Sequence, residues 1–537
     1  MRRSFSVAFA TFLLTSTMFA GGILHNTNQS AMYTRMGCRD ATLGIDAVYY
    51  NPAGLTKLED GFHFSINNQT IGQTRTITSN YTNLNDGKYP GEASASIFPG
   101  IYAVYKMGNW AFSLGFNPIG GGGEAQYSRG LPSFEYSISD MVPALAGPPH
   151  NVTDYRMNAY FEGTSVFLGY QANISYAIND IISVALGGRL VTARETYKGH
   201  IKDIEINAGG TWTPIPDHFT ALATAAFGAA TDASNASTAV LGDVVGGAGL
   251  DDPLTNPVAI GTLQGLGYDP TGMTNAVAMG TLDALSAGYT SAATDAAAQA
   301  AYTAIFFSDQ EADVERTGHG FTPIISVNIQ PNDMLNFSVK YEHTTKLELT
   351  NKTTSDVVIG IDPVTGNPVT MFPDGATSRL DLPAMLSIGA TLRPIEPLLF
   401  STGFHYFFDK GADWGGREEL LSSNSWELGI GAEYYLTEKF LVSAGWIMTS
   451  VGATDEYQTD LSHTLSTKNG WSIGLGWDIL PFMQLNLGGQ FVQYDQYDRN
   501  FSHLNIPADD MFPVKETYER SNWIIGAGLN FSFASGS

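Results

Sequence analysis

Residues 333–343 read DMLNFSVKYEH. Leu335, Phe337, Val339 and Tyr341 fall on one face of this stretch, and Asn336, Ser338, Lys340 and Glu342 on the other. A β-strand sends successive side chains to opposite sides, so the stretch predicts a strand with one apolar and one polar face. The same split recurs toward the C-terminus. Trp426, Leu428, Ile430, Ala432 and Tyr434 oppose Glu427, Gly429, Gly431 and Glu433. Trp523, Ile525, Ala527, Leu529, Phe531 and Phe533 oppose Asn522, Ile524, Gly526, Gly528, Asn530 and Ser532.

Roughly fourteen such segments can be read, the first near 61–75 and the last near 520–533. Many reach the length of about ten residues that a tilted strand needs to cross a bilayer. Short turns, such as Lys106-Met107-Gly108-Asn109, Asn179-Asp180 and Thr437-Glu438-Lys439, alternate with long connections at about 76–97, 119–160, 199–319, 351–379, 410–423, 452–468 and 498–519. Bacterial barrels pair short periplasmic turns with longer outer loops and carry an even number of strands. A soluble sandwich has no reason to sort its loops by parity. The expected fold is therefore all-β: a transmembrane antiparallel β-barrel of about fourteen strands, spanning 61–537.

Composition agrees with that reading. The chain is 43% hydrophobic but only 15% charged, where a soluble domain is usually about 25% charged. Arg2 and Arg3, the apolar run Phe5 to Phe19, and Ala20-Gly21-Gly22 make residues 1–20 a secretory signal peptide, although Met18 sits where a small residue suits cleavage better. The expected location is the outer membrane of a Gram-negative-type bacterium, facing membrane lipid and lipopolysaccharide. Cys38, the single cysteine, excludes an intramolecular disulfide and lies too far from the signal to be a lipid anchor. The net charge of −25 argues against a nucleic-acid partner. Acidic patches such as Asp309-Glu311-Asp313-Glu315 could hold divalent cations, but none has a calcium-loop spacing, which favours solvated loops.

Two segments break the strand pattern. Between Gly199 and Gly318 the chain is rich in Ala, Gly and Thr. Ala221 to Ala230 and Ala276 to Phe307 read as helical, which predicts a large outer loop, 199–319, carrying short helices over the barrel mouth, with a disordered insertion as the alternative. Residues 21–60 form a turn-rich N-terminal segment ending in Asn51-Pro52-Ala53-Gly54-Leu55. A compact element ahead of the first strand would sit under or inside the barrel.

That motif, at that position, resembles the FadL-type family of outer-membrane transporters for long-chain fatty acids and aromatic hydrocarbons. Leu382-Pro383-Ala384-Met385-Leu386-Ser387-Ile388-Gly389-Ala390 and the later Phe400-Ser401-Thr402-Gly403 also look like the family's mid-barrel hairpin. The resemblance implies an N-terminal hatch plugging a fourteen-stranded barrel, a hydrophobic small-molecule substrate, passive diffusion, and assembly by the barrel-assembly machinery. It further implies a kinked third strand beside a lateral opening. Trp110, Phe112, Leu114 and Phe116 lead into Asn117-Pro118-Ile119-Gly120-Gly121-Gly122-Gly123, where proline withholds a ladder donor and glycines permit a bend. The plain alternative is that these residues begin the next outer loop. Two departures stand out: the 199–319 loop is longer than the family leads one to expect, and Phe533 is followed by a short tail.

No enzyme pattern is present. The ten histidines include no nucleophile-elbow or zinc-helix arrangement, and the four glycines at 120–123 lack the Lys-Ser/Thr of a phosphate loop. No catalytic residue, metal ligand or cofactor is expected; His405 reads as a polar lumen filler. Arg189 and Lys340 face the lumen and are candidates for meeting a fatty acid carboxylate; equally they could pair with Glu342 or Glu427. Two other functions stay open: a porin-like channel for polar solutes, and a surface adhesin or structural barrel.

Overall fold

The computed structural model describes residues 26–505 and 510–534; the expected signal peptide lies outside them. The described chain divides into two compact units, one of residues up to 137, 159–200 and 311 onward, the other of residues 138–158 and 201–310.

The first unit is a closed antiparallel barrel of fourteen strands. They are β1 (Gly61–Ser79), β2 (Lys88–Met107), β3 (Trp110–Tyr127), β4 (Val152–Ala177), β5 (Ile182–Ala208) and β6 (Gln310–Asn332). Then come β7 (Leu335–Glu342, resuming over Glu348–Ser355), β8 (Thr377–Arg379, resuming over Met385–Ile395), β9 (Leu398–Phe407) and β10 (Trp426–Thr437). Last are β11 (Phe440–Ser450), β12 (Thr467–Leu480), β13 (Met483–Tyr494, resuming over Tyr497–Asn505) and β14 (Asp510–Ala534). Strand β14 pairs with β1 from Gly61 opposite Ala534 to Ser79 opposite Glu516, which closes the sheet. Closure leaves no free edge strand on the barrel.

The faces follow the sequence pattern. Phe337 and Val339 are exposed on the outside of β7, while Asn336, Ser338, Lys340 and Glu342 are buried within. Trp523 and Ile525 likewise face out from β14. This apolar exterior is that of an outer-membrane barrel. No described helix is long and apolar enough to cross a membrane.

The strands run further than alternation reveals. The β1–β2 ladder extends to Thr78 opposite Lys88, so the expected 76–97 connection contracts to 80–87. Strand β4 begins at Val152 and β5 continues to Ala208. Where both faces meet polar surroundings the two-residue hydrophobic period disappears, yet the backbone ladder persists.

The second unit has its own core. Helices Ile215–Val245 and Asn275–Phe306 pack together through Ala233, Ala236 and Val240 against Ala278 and Leu282, with Ala259 and Leu263 of helix Pro257–Gly265. Helix Asn275–Phe306 matches the Ala276 to Phe307 read from sequence, whereas the first helix, read as Ala221 to Ala230, runs from Ile215 to Val245. Alanine-rich chain propagates helix readily, and the first runs on to Gly246, its C-cap.

Ile473 sits mid-strand on β12, 69% exposed on the outer face. Ile473→Arg is expected to lower the unfolding free energy in lipid vesicles by about 2–4 kcal/mol. Urea titration in vesicles measures this; a change near zero would mean that this face does not meet lipid.

Candidate functional site

The hatch begins as a capped helix. Ser30 Oγ accepts from the Tyr33 amide at 3.0 Å, starting α1 (Ala31–Met36), and Gly37 ends it in the left-handed region at φ 78°. A second short helix, α2 (Ala47–Tyr50), leads to Asn51 and a 3-10 turn over Pro52–Lys57. Both helices are buried inside the barrel. Pro52 occupies the first turn position, where its missing N–H is no loss.

Glycines on the inner wall make room for this element. A Cβ at Gly429 would stand 2.7 Å from the Gly37 carbonyl oxygen, and one at Gly445 would overlap the Met36 carbonyl. Sequence reading assigned Gly429 and Gly431 to the lumen face but missed their use. A run of inner-face glycines on neighbouring strands was the available signal.

Polar contacts fix the hatch in place. Asn51 Nδ2 donates to Asn328 Oδ1 at 2.7 Å and to the Thr42 carbonyl at 3.0 Å. The Pro52 carbonyl accepts from Ser175 Oγ at 2.7 Å, and the Ala53 carbonyl from Ser183 Oγ at 2.8 Å. Leu55 is fully buried, and a Cβ at Gly54 would crowd Asn51. Thus Asn51, Pro52 and Ala53 seat the hatch's exit turn against β4, β5 and β6.

Three ionic clusters reinforce this. Arg39 grips Asp46 through Nε at 2.8 Å and Nη2 at 3.0 Å, while Arg35 reaches Glu433 at 2.6 Å. His405 bridges Asp40 at 2.5 Å and Glu427 at 2.9 Å, and Tyr33 donates to Glu427 at 3.3 Å. The third cluster holds both carboxylate candidates. Arg189 meets Glu342 at 2.5 Å and Gln171 at 2.6 Å, and Lys340 meets Glu342 at 2.7 Å and the Tyr49 carbonyl at 2.8 Å. At 2% and 1% exposure, these two cations are engaged by protein groups, the pairing alternative foreseen from sequence.

The third strand is bent where the sequence pointed. Residues of β2 and β3 pair up to Ile101 opposite Phe116, then lose contact until Ser94 opposite Glu124. Residues 95–100 and 117–123 therefore have no ladder between them. Gly121 and Gly123 have φ of 96° and 75°, and a Cβ on either would overlap a carbonyl oxygen, of Ser165 and Ser94 respectively. Hatch groups take up the freed carbonyls. Gln29 Nε2 donates to the Pro118 carbonyl at 2.8 Å, the Asn26 amide to that of Ile119 at 3.3 Å, and Asn26 Nδ2 to that of Gly121 at 3.0 Å. Asn117 Nδ2 donates to Gln29 Oε1 at 2.6 Å. Gly120 and Gly122 complete the bend, with Gly120 still opposite Phe167 on β4.

A cavity of about 370 Å³ adjoins this break. Asn26 to Asn28 of the hatch, Ile71, Phe98, Gly121 to Gly123, Tyr127, Tyr197, Tyr494 and the 461–465 loop are among the residues that line it. Burial, then the facing Arg75 and Arg520, pushes the His463 imidazole down to about 3, so it stays neutral.

No protein-family model matches the chain, and no curated protein does. Solved structures do. A FadL homologue from Pseudomonas aeruginosa aligns over 95% of this chain and 100% of its own, with a TM-score of 0.55 and 12% identity. A mutant of the TodX monoaromatic hydrocarbon channel aligns over 93% of this chain and 98% of its own, with a TM-score of 0.51 and 11% identity. At these identities the likeness is one of fold, and the fold is the FadL type.

Gly445→Val would push α1 off the wall while sparing the ladder. Ion conductance in planar bilayers is expected to rise about tenfold or more over the parent, because an unplugged lumen of this strand number is wide. A barrel that keeps its heat-modifiable gel migration yet stays silent would show that the hatch tolerates the side chain or does not block the lumen.

Proposed function

We propose that this protein carries hydrophobic small molecules, fatty acids or aromatic hydrocarbons, across the outer membrane by passive diffusion, and that they leave sideways through the barrel wall. It is a transporter rather than an enzyme. The carrying observation is the interrupted β2–β3 ladder at 95–100 and 117–123, directly beside the cavity. A hydrophobic molecule gains nothing by entering water, since burial is worth roughly 25 cal/mol per Å² of apolar surface. The outer leaflet, reached through the break, is the favourable destination.

The hatch also supports this reading over a porin. A polar-solute channel needs a continuous aqueous path, and here buried side chains fill the lumen around α1 and α2. Membrane lipid and lipopolysaccharide would surround the barrel, and barrel-assembly machinery would insert it. The solved TodX channel is named for monoaromatic hydrocarbons, which agrees in class; with so little identity this is analogy of fold. Arg189 and Lys340, buried against Glu342, serve in this account to hold Tyr49 and the hatch.

The double variant Gly121→Val, Gly123→Val tests the exit. β-Branched side chains disfavour the bent backbone and favour a continued ladder with β2. Uptake of a radiolabelled hydrophobic compound by cells is expected to fall about tenfold, equivalent to a barrier raised by about 1.4 kcal/mol, with surface level and gel migration unchanged. Uptake at the parent rate would place the exit elsewhere.

A further inference from the structure

The outer face of the seam between β14 and β1 changes character along its length. Every second residue of β14 from Trp523 to Phe533 is apolar, and none of these is buried. At about 3.4 Å per residue and a tilt of about 35–45°, that stretch climbs about 25 Å, the height of the apolar band of an outer-membrane barrel. Trp523 therefore stands at the upper edge of the band, where aromatic residues gather at a membrane–water interface. It lies opposite Phe491 of β13 and across Gly72 of β1, where a Cβ would overlap its ring.

Above that edge the same face turns polar. Ser521 of β14 stands between Thr74 of β1 and Gln493 of β13, and the Thr74 and Ser521 hydroxyls bond each other at 2.8 Å. One step further out, Glu519 is opposite Thr76. Here the ladder on the β13 side fails. Gln493 pairs with Ser521 and the next pair is Tyr497 with Tyr518, so residues 494–496 have no partner on β14. The interruption leaves a depression of about 330 Å³ lined by Thr74, Thr76, Gln493, Gln496, Glu519 and Ser521. Arg520 and Tyr494, from the lumen side of the alternation, complete it, the guanidinium lying over the ring at 3.8 Å.

The chemistry of the depression selects its occupant. Hydroxyls and amides both donate and accept, as the hydroxyls of a sugar do. Among the described residues the side chains of Thr76, Gln493 and Glu519 have no hydrogen-bond partner, and no cation lies within 4.0 Å of Glu519. A free carboxylate accepts from a sugar hydroxyl in a strong, charge-assisted bond, whereas it repels a bare phosphate. We propose that this depression binds the saccharide headgroup of an outer-leaflet glycolipid. Its acyl chains would run down the wall past Trp523 and Phe491. Burying those chains beside the apolar band concentrates the headgroup at this height, an advantage that a free sugar lacks. The site rests on the barrel fold alone and stands whatever the lumen carries.

The probes are rough-type lipopolysaccharide of defined mass, the deacylated saccharide made from it, and phosphatidylglycerol. Each is titrated into the detergent-solubilised full-length protein and followed by native mass spectrometry. One lipopolysaccharide is expected per chain, held about tenfold tighter than phosphatidylglycerol. The variant Thr74→Val, Ser521→Val, Glu519→Gln should bind lipopolysaccharide about tenfold more weakly, through lost hydrogen bonds, and phosphatidylglycerol as before. On the unaltered protein the deacylated saccharide should displace lipopolysaccharide, but only at about a hundredfold higher concentration, an arm that needs no variant to fold. Lipopolysaccharide held no tighter than phosphatidylglycerol, or a variant with normal heat-modifiable migration and parent affinity, would overturn the site. So would a saccharide that never competes, since the headgroup is then not what is recognised. A saccharide that binds as tightly as the whole lipid would make a free sugar the occupant and overturn the glycolipid assignment.

Discussion

Inside a lipid bilayer a backbone N–H or C=O has no water to bond, and leaving one unmatched costs several kcal/mol. That constraint shapes everything else in this protein. It requires the sheet to close, which β1 does along its whole length against Glu516 to Ala534 of β14. It also makes any interruption of the ladder expensive unless other groups take over. Between β2 and β3 the ladder is interrupted, and the carbonyls of Pro118, Ile119 and Gly121 are met by Gln29 and Asn26. The N-terminal end of the hatch is thus the substitute partner for a strand that has turned away from its neighbour. A change in the hatch's first residues would be felt directly at the break.

The hatch can serve in this way because it is held rigidly further in. Its helices lie against a wall of glycines and are tied to the strands by clusters around Glu433, His405 and Glu342. Removing one member of such a buried cluster leaves an uncompensated charge, at about 3–5 kcal/mol. The clusters therefore argue for a plug that stays in the barrel as a body while its unclustered end, Asn26 to Gln29, lines the cavity wall and the bend together.

Much of this was legible in the sequence, for definite reasons. The two-residue period marked the strands from β1 to β14, because lipid on one side and polar groups on the other force alternation. Pro118 and the glycines after it marked the bend, since proline cannot donate and only glycine takes φ values such as those of Gly121 and Gly123. Asn51 to Leu55 marked the end of the hatch. The faces of Arg189 and Lys340 were also right, but a face does not choose a partner: Glu342, two residues beyond Lys340 on the same side, is nearer than any substrate. Thr74 and Ser521 escaped notice altogether. They are far apart in the chain and become neighbours only through barrel closure, a register that no local pattern encodes. The strand extensions were hidden too, because alternation ends where lipid ends.

The central claim is that a plugged barrel passes hydrophobic molecules without opening a path for ions. Planar-bilayer recording of the unaltered protein, paired with uptake of a hydrophobic compound by cells carrying it, tests this most directly. The account predicts a membrane that stays nearly silent to salt while uptake exceeds that of cells lacking the protein. A steady, porin-like current through the unaltered barrel would contradict it.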